Sequence, residues 1–74
     1  MVNGAAVVEL WREPKVLQTV GLSRASVWKM VKSGEFPAPI HLRDGGRAVA
    51  WQSDLVAQWV QQRIERATAE RRAA

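Results

Sequence analysis

A connection of only three residues, 21–23, constrains this chain more than any other feature of its sequence. Residues 14–20 begin with proline, place apolar side chains on one helical stripe and end before a glycine. Residues 24–33 form a second helical stretch, with Ser23 in the N-cap position and Gly34 where a helix would end. Such a short connection predicts two short helices that meet at a tight corner and do not form a long hairpin.

This arrangement is the helix-turn-helix pattern, in which a glycine in the turn is followed by an apolar residue. Gly21 and Leu22 fit these two positions. Short helix pairs joined through a glycine also occur in purely structural bundles. The pattern by itself therefore favours DNA binding only modestly, and the rest of the chain has to be weighed with it.

After the second helix the pattern changes to a β-hairpin. Residues 36–39 contain two prolines, which disfavour the helical conformation for the residues before them. Residues 40–42 and 48–51 alternate large apolar residues with others, as half-buried strands do. Residues 43–47 lie between them and offer either an Asp-Gly or a Gly-Gly turn, with an arginine on each side of the tip. Together these features predict a short hairpin.

A third helix is predicted after the hairpin. Ser53 suits its N-cap position, and Asp54 places a negative charge in the first turn, where the helix dipole favours it. Its apolar stripe consists of Leu55, Val56, Trp59, Val60 and Ile64. The stripe ends near Ala67, so the residues beyond have helix propensity but little to pack against.

The order of these elements predicts a mainly α domain with a small β-hairpin wing, that is, a winged helix-turn-helix with three helices. The predicted domain covers residues 11–67. Residues 1–10 are predicted to be a flexible N-terminal arm, with a short strand near residues 7–11. Residues 68–74 are predicted to be a frayed C-terminal tail.

Length and composition fit one small domain whose core depends on a few bulky residues. The chain has 74 residues, which allow one domain, and no cysteine, which excludes disulfides and thiolate metal sites. Four tryptophans are the main source of buried area. Of these, Trp51 and Trp59 are at core spacing, as is Met30.

The positive charge is concentrated in the middle of the chain. The net charge is +4, and residues 1–14 contribute −1, residues 15–47 +4 and residues 48–74 +1. This distribution suits a polyanionic partner. No stretch has the length and flanks of a targeting signal or a membrane span, so we expect no membrane partner and a cytoplasmic, nucleoid-associated protein.

Residues that would support catalysis are not grouped in this sequence. The single histidine, His41, lies on a predicted strand and has no second histidine or cysteine to pair with. Asp44 and Asp54 form no paired-carboxylate motif, and Gly45-Gly46 lacks the following Lys-Ser/Thr of a phosphate loop. We therefore expect no enzyme activity, catalytic residue, metal, cofactor or small-molecule substrate.

Three stretches of the chain resemble one known family, namely GLSRASVWKMVKSGEFPAPIHL, GGRAVAW and QSDLVAQWVQQRI. That family is the AlpA family of prophage regulators, which is related to phage excisionases and MerR-like DNA-binding domains. The resemblance covers residues 10–67 and implies DNA binding through the second helix and the wing. This chain departs from the family at Arg43 and Asp44, since the family's tip is often shorter and less acidic.

The resemblance leaves two roles open, since a transcriptional regulator and an excisionase need the same DNA-binding surface. Double-stranded DNA is the expected partner, with an integrase or RNA polymerase as a candidate protein partner and self-association on DNA as a further candidate. A protein-interaction module on the same fold is the alternative from another class. It is disfavoured because the exposed positions of the second helix and wing carry charges, whereas a protein interface would need apolar anchors there.

The predicted DNA-binding residues lie on the polar face of the second helix and beside the hairpin tip. They are Ser23, Arg24, Ala25, Trp28, Lys29, Lys32, Arg43 and Arg47. A helix fits the major groove, and the first turns of the helix normally supply the base contacts. Arg24 suits guanine O6 and N7, or else a phosphate, and Ala25 suits a thymine methyl group.

The other predicted contacts each have a structural alternative. Ser23 caps its helix, where a phosphate could also bind. Trp28 either packs beneath the wing or donates its indole N–H to a phosphate. Four cations remain as phosphate or minor-groove contacts or as solvated surface charges, and they are Lys29, Lys32, Arg43 and Arg47.

Overall fold

The computed structural model describes residues 8–73, which contain three helices and three short strands. In chain order they are β1 (Leu10–Trp11), α1 (Glu13–Val20), α2 (Arg24–Ser33), β2 (Ile40–His41), β3 (Val49–Gln52) and α3 (Ser53–Ala73). The fold is thus a small, mainly helical domain with a three-stranded antiparallel sheet. This confirms the prediction of three helices with a small β component.

The tight corner between α1 and α2 depends on its end residues. Gly21 ends α1 in the left-handed conformation, at φ 72°, and donates its N–H to the Leu17 carbonyl at 2.9 Å. Ser23 begins α2 by accepting the backbone N–H of Ser26 at 3.2 Å on its hydroxyl oxygen. Gly34 ends α2 at φ 83°. The bounds predicted for the second helix are confirmed.

The sheet has β3 in the centre, with β1 on one side and β2 on the other. In the predicted hairpin, Ile40 pairs with Ala50. Its turn is of the Asp-Gly kind, because the Gly46 N–H bonds the Arg43 carbonyl at 3.0 Å and Gly45 has a φ of 72°. On the other edge, the short strand predicted near residues 7–11 is β1.

A pair of hydrogen bonds ties β1 to the start of α3. The Ser53 hydroxyl accepts the N–H of Glu9 at 2.8 Å, and the Ser53 N–H bonds the Glu9 carbonyl at 2.8 Å. Ser53, which the sequence predicts as the N-cap, is the first residue of α3, and its hydroxyl links the helix to the residue before β1. Asp54 instead accepts a backbone N–H of the first turn, that of Leu55, at 2.9 Å.

The core lies where all three helices meet β3. Val16, Val27 and Val56 contribute one fully buried side chain from each helix, and they surround Trp51, which is 0% exposed. The indole N–H of Trp51 bonds the Pro37 carbonyl at 2.8 Å. The predicted core position of Trp51 is confirmed.

The edge of the core is less enclosed than the apolar pattern suggests. Trp59 and Met30 are half-buried and pack against the core from outside. Ile64, the last member of the predicted stripe on α3, is 51% exposed and lines an open groove together with Val20 and Leu22.

The structure describes only part of the predicted N-terminal arm and of the predicted C-terminal tail. Residues 1–7 of the predicted arm lie outside the described residues. At the other end α3 continues as a helix to Ala73, through most of the predicted tail, and only Thr68 is half-buried there. Within residues 8–73, no helix is long and apolar enough to cross a membrane.

Candidate nucleic-acid interface

The start of α2 presents polar side chains to solvent. Ser23 is the N-cap of α2, so the next residues, Arg24 and Ala25, lie in its first turn. Both are exposed. The Arg24 side chain is 74% exposed. The first turn of α2 therefore has the accessibility that contact with a base edge requires.

Glu13, at the start of α1, contacts two of the predicted residues. Its Oε1 lies 3.1 Å from Nε of Arg24, and its Oε2 accepts the indole N–H of Trp28 at 2.8 Å. The ring of Trp28 also packs edge-on against Trp51, with 5.4 Å between centroids. Since the indole N–H of Trp28 is donated within the protein, a phosphate could receive it only by displacing the carboxylate.

A cleft of about 390 Å³ lies between the start of α1, the start of α2 and the hairpin. It brings two of the predicted cations, Arg24 and Arg47, together beside Trp28. It also includes Arg12 and Glu13, which the sequence patterns did not single out. Arg12 was missed because it lies in a segment, residues 1–14, whose net charge is negative. Glu13 was missed because no helical or strand spacing relates it to α2.

The remaining predicted residues lie outside this cleft. Lys29 and Lys32 are exposed on α2, and Arg43 is exposed at the first position of the hairpin turn. Asp44 follows at the tip, where pairing with Arg43 or Arg47 would neutralise it. Within residues 8–73 the only ion pair is that of Glu13 with Arg24. The Asp44 carboxylate therefore has no salt bridge to Arg43 or Arg47.

Titratable groups elsewhere give no indication of a metal centre. Across residues 8–73, no three histidine, cysteine, aspartate or glutamate side chains are grouped closely enough to hold an ion. His41 is exposed on β2.

These features define a class: a small three-helix domain with exposed cations on its second helix and its hairpin. The family model described as prophage CP4-57 regulatory protein (AlpA) matches residues 9–64. The chain belongs to this family, which confirms the resemblance seen in the sequence. The family is one of regulatory proteins and is not an enzyme family.

A phage protein is among the relatives. The chain is 40% identical over 53 residues to a protein of Enterobacteria phage P4, named uncharacterized protein ORF88. The match covers 72% of this chain and 58% of the phage protein, so the chain spans little more than half of that relative's length. No solved structure matches this chain.

Proposed function

We propose that this chain binds double-stranded DNA as a winged helix-turn-helix domain and regulates transcription in a phage or prophage. In this proposal α2 enters the major groove, and the tip of the β2–β3 hairpin lies at the adjacent minor groove. The observation that carries the proposal is the cleft in which the exposed Arg24 of α2 and Arg47 of the hairpin lie together. Membership of a regulatory family supports it.

The dimensions of α2 suit a major groove, which is about 12 Å wide and admits a helix. Arg24 and Ala25 would then face base edges from the first turn of α2. Lys29 and Lys32 lie one and two turns further along and would contact phosphates. Arg43 and Arg47 flank the tip that would approach the minor groove, where arginine is favoured when the groove is narrow.

The experiment starts from duplexes selected by the wild-type protein from a random-sequence pool, since no operator is known in advance. Fluorescence anisotropy then gives the Kd for the selected duplex and for a scrambled one of equal length. We expect the selected duplex to bind about 10³-fold or more tightly. Equal binding to both duplexes, or none to either, would contradict the proposal.

Two matched variants divide base contacts from phosphate contacts. Arg24→Ala is expected to cost about 1–3 kcal/mol on the selected duplex and to relax the preference at one base pair. Lys32→Ala should weaken the selected and scrambled duplexes by the same factor. Equal losses on both duplexes for both variants would mean that Arg24 is a phosphate contact.

The cellular setting follows from the proposed activity. A DNA-binding regulator of this kind would act in the cytoplasm at the nucleoid, with RNA polymerase or an integrase as its candidate protein partner. Self-association on DNA is part of the same proposal. It would appear as steeper binding to duplexes that hold two sites than to duplexes that hold one.

A further inference from the structure

Glu13 is an acidic residue in a cleft that also holds Arg12, Arg24 and Arg47. An acidic side chain repels DNA phosphates, so its presence on a DNA-binding surface needs a reason. The Glu13 side chain is only 25% exposed, and each of its carboxylate oxygens has its own partner. Trp28 holds Oε2 at 2.8 Å, and Oε1 lies 3.1 Å from Nε of Arg24.

We propose that Glu13 is a positioning residue that sets base preference by holding the guanidinium group of Arg24. The inference rests on the DNA binding proposed above and deepens it. The Trp28 ring, packed against Trp51, fixes the carboxylate, and the carboxylate fixes Nε of the arginine. The chain of contacts thus runs from the buried core to an exposed side chain on α2.

The contact leaves the recognition end of Arg24 available. A guanidinium group has five N–H donors in one plane, and it is the Nε atom that lies 3.1 Å from Glu13 Oε1. The four N–H groups on the two terminal nitrogens remain, and they can form a bidentate pair with guanine O6 and N7. Because the group is planar, a fixed Nε restricts the directions in which this fork can point.

Positioning matters more for a base than for a phosphate. Ordering a free arginine side chain lowers affinity by about 2- to 12-fold, a loss that prior restraint avoids. A base edge accepts the fork in one orientation, whereas phosphates accept it in many. Glu13 should therefore increase discrimination between base pairs while its charge reduces affinity for all DNA.

Two substitutions separate these effects. Glu13→Gln removes the charge and keeps the size of the side chain, whereas Glu13→Asp keeps the charge and shortens the reach by about 1.5 Å. Glu9→Gln is the matched control, because Glu9 also accepts an indole N–H, that of Trp11 at 2.7 Å. Within residues 8–73 Glu9 has no arginine partner.

The measurement compares Kd for the wild-type-selected duplex and for duplexes in which its guanines are replaced one at a time. We expect Glu13→Gln and Glu13→Asp to lower the preference at the Arg24 base pair by about 2- to 12-fold. Glu13→Gln should also tighten scrambled-duplex binding by about 2- to 5-fold at low salt, and Glu13→Asp should not. Glu9→Gln should leave the preference unchanged.

An Arg24→Ala background completes the cycle, since Glu13→Gln should have no further effect on the preference there. Thermal melts and the Trp28 indole resonance verify that each variant is folded. If Glu13→Gln does not fold, Glu13→Asp serves as the test variant. The proposal then requires that the Arg24 Nε–H exchanges with solvent faster in Glu13→Asp than in the wild type, and an unchanged exchange rate would overturn it.

The outcomes distinguish this inference from the proposed function. If Arg24→Ala removes the preference for the base pair and both Glu13 variants keep it, only the positioning role of Glu13 is overturned. A wild-type protein that fails to distinguish selected from scrambled duplex would overturn the proposed function, and the role of Glu13 with it.

Discussion

At the scale of single residues, two tryptophans hold an irregular segment in place. The segment between α2 and β2 contains two prolines and cannot satisfy its backbone groups through regular structure. Trp51 donates its indole N–H to the Pro37 carbonyl, and Trp59 donates to the Glu35 carbonyl, both at 2.8 Å. Phe36 lies between them, buried, and its ring packs edge-on against both indole rings.

Burial predicts that these two tryptophans differ in their contribution to stability. Trp51→Ala is expected to lower the free energy of unfolding by about 3–5 kcal/mol, close to the whole stability of a domain this small. Trp59→Ala should cost about 2–3 kcal/mol, because the Trp59 side chain is only half-buried. Urea titrations followed by circular dichroism measure both values.

Trp59→Phe is the control for the hydrogen bond to Glu35, since the phenyl ring keeps much of the packing and removes the donor. It should cost about 1 kcal/mol. If Trp51→Ala unfolds at the same urea concentration as the wild type, the proposed core is wrong.

At the scale of elements, the sequence predicted what local patterns can specify. Helix α2 is bounded by Ser23 and Gly34 as predicted, because caps and turn glycines act on neighbouring residues. The pairing of Trp11 with Trp51 in the sheet joins distant parts of the chain, and no spacing rule indicated it.

In the candidate site, too, some residues could be predicted from local patterns and others could not. The exposed cations on α2 could be named from helical periodicity alone. Glu13 could not, because it meets Arg24 and Trp28 only when the corner brings the starts of α1 and α2 together.

The positive φ of Gly34 gives a prediction for the end of α2. A Cβ atom at this position would meet nothing within 4 Å, so Gly34→Ala introduces backbone strain without a clash. The expected loss of stability is about 1–2 kcal/mol. Gly34→Asn should lose less, since asparagine tolerates this conformation better. Chemical denaturation of the three proteins tests this, and an alanine variant as stable as the wild type would contradict it.

The hairpin gives a second prediction at this scale, concerning binding and not stability. Arg47 is exposed, so Arg47→Ala should leave the melting temperature nearly unchanged while weakening DNA binding. Asp44 is not paired with Arg43 or Arg47, so Asp44→Asn should tighten binding by removing its repulsion of phosphates.

Anisotropy on duplexes with A·T-rich or G·C-rich flanks measures both hairpin variants. The wild type should favour A·T flanks, and Arg47→Ala should reduce that preference. Normal binding by Arg47→Ala, without any flank preference in the wild type, would mean that the hairpin has only a structural role.

At the scale of the whole molecule, the proposed interface predicts how strongly salt weakens binding. We expect five exposed cations to lie against the DNA backbone: Lys29, Lys32, Arg43 and Arg47 from the proposed interface, and also Arg12, which lines the same cleft as Arg47. Each contact releases counterions, so log Kobs should fall with log salt at a slope of about −4.5, or about 500-fold between 50 and 200 mM. Lys32→Gln should reduce the steepness by about 0.9.

Arg72→Gln is the matched control for net charge. Arg72 lies in the last turn of α3, about 28 Å along the helix axis from Ser53, and is not among the proposed contacts. If the slope depends on particular contacts, this variant should keep the wild-type value. Equal changes for Lys32→Gln and Arg72→Gln would show that net charge alone attracts DNA, and a wild-type slope near zero would contradict phosphate binding altogether.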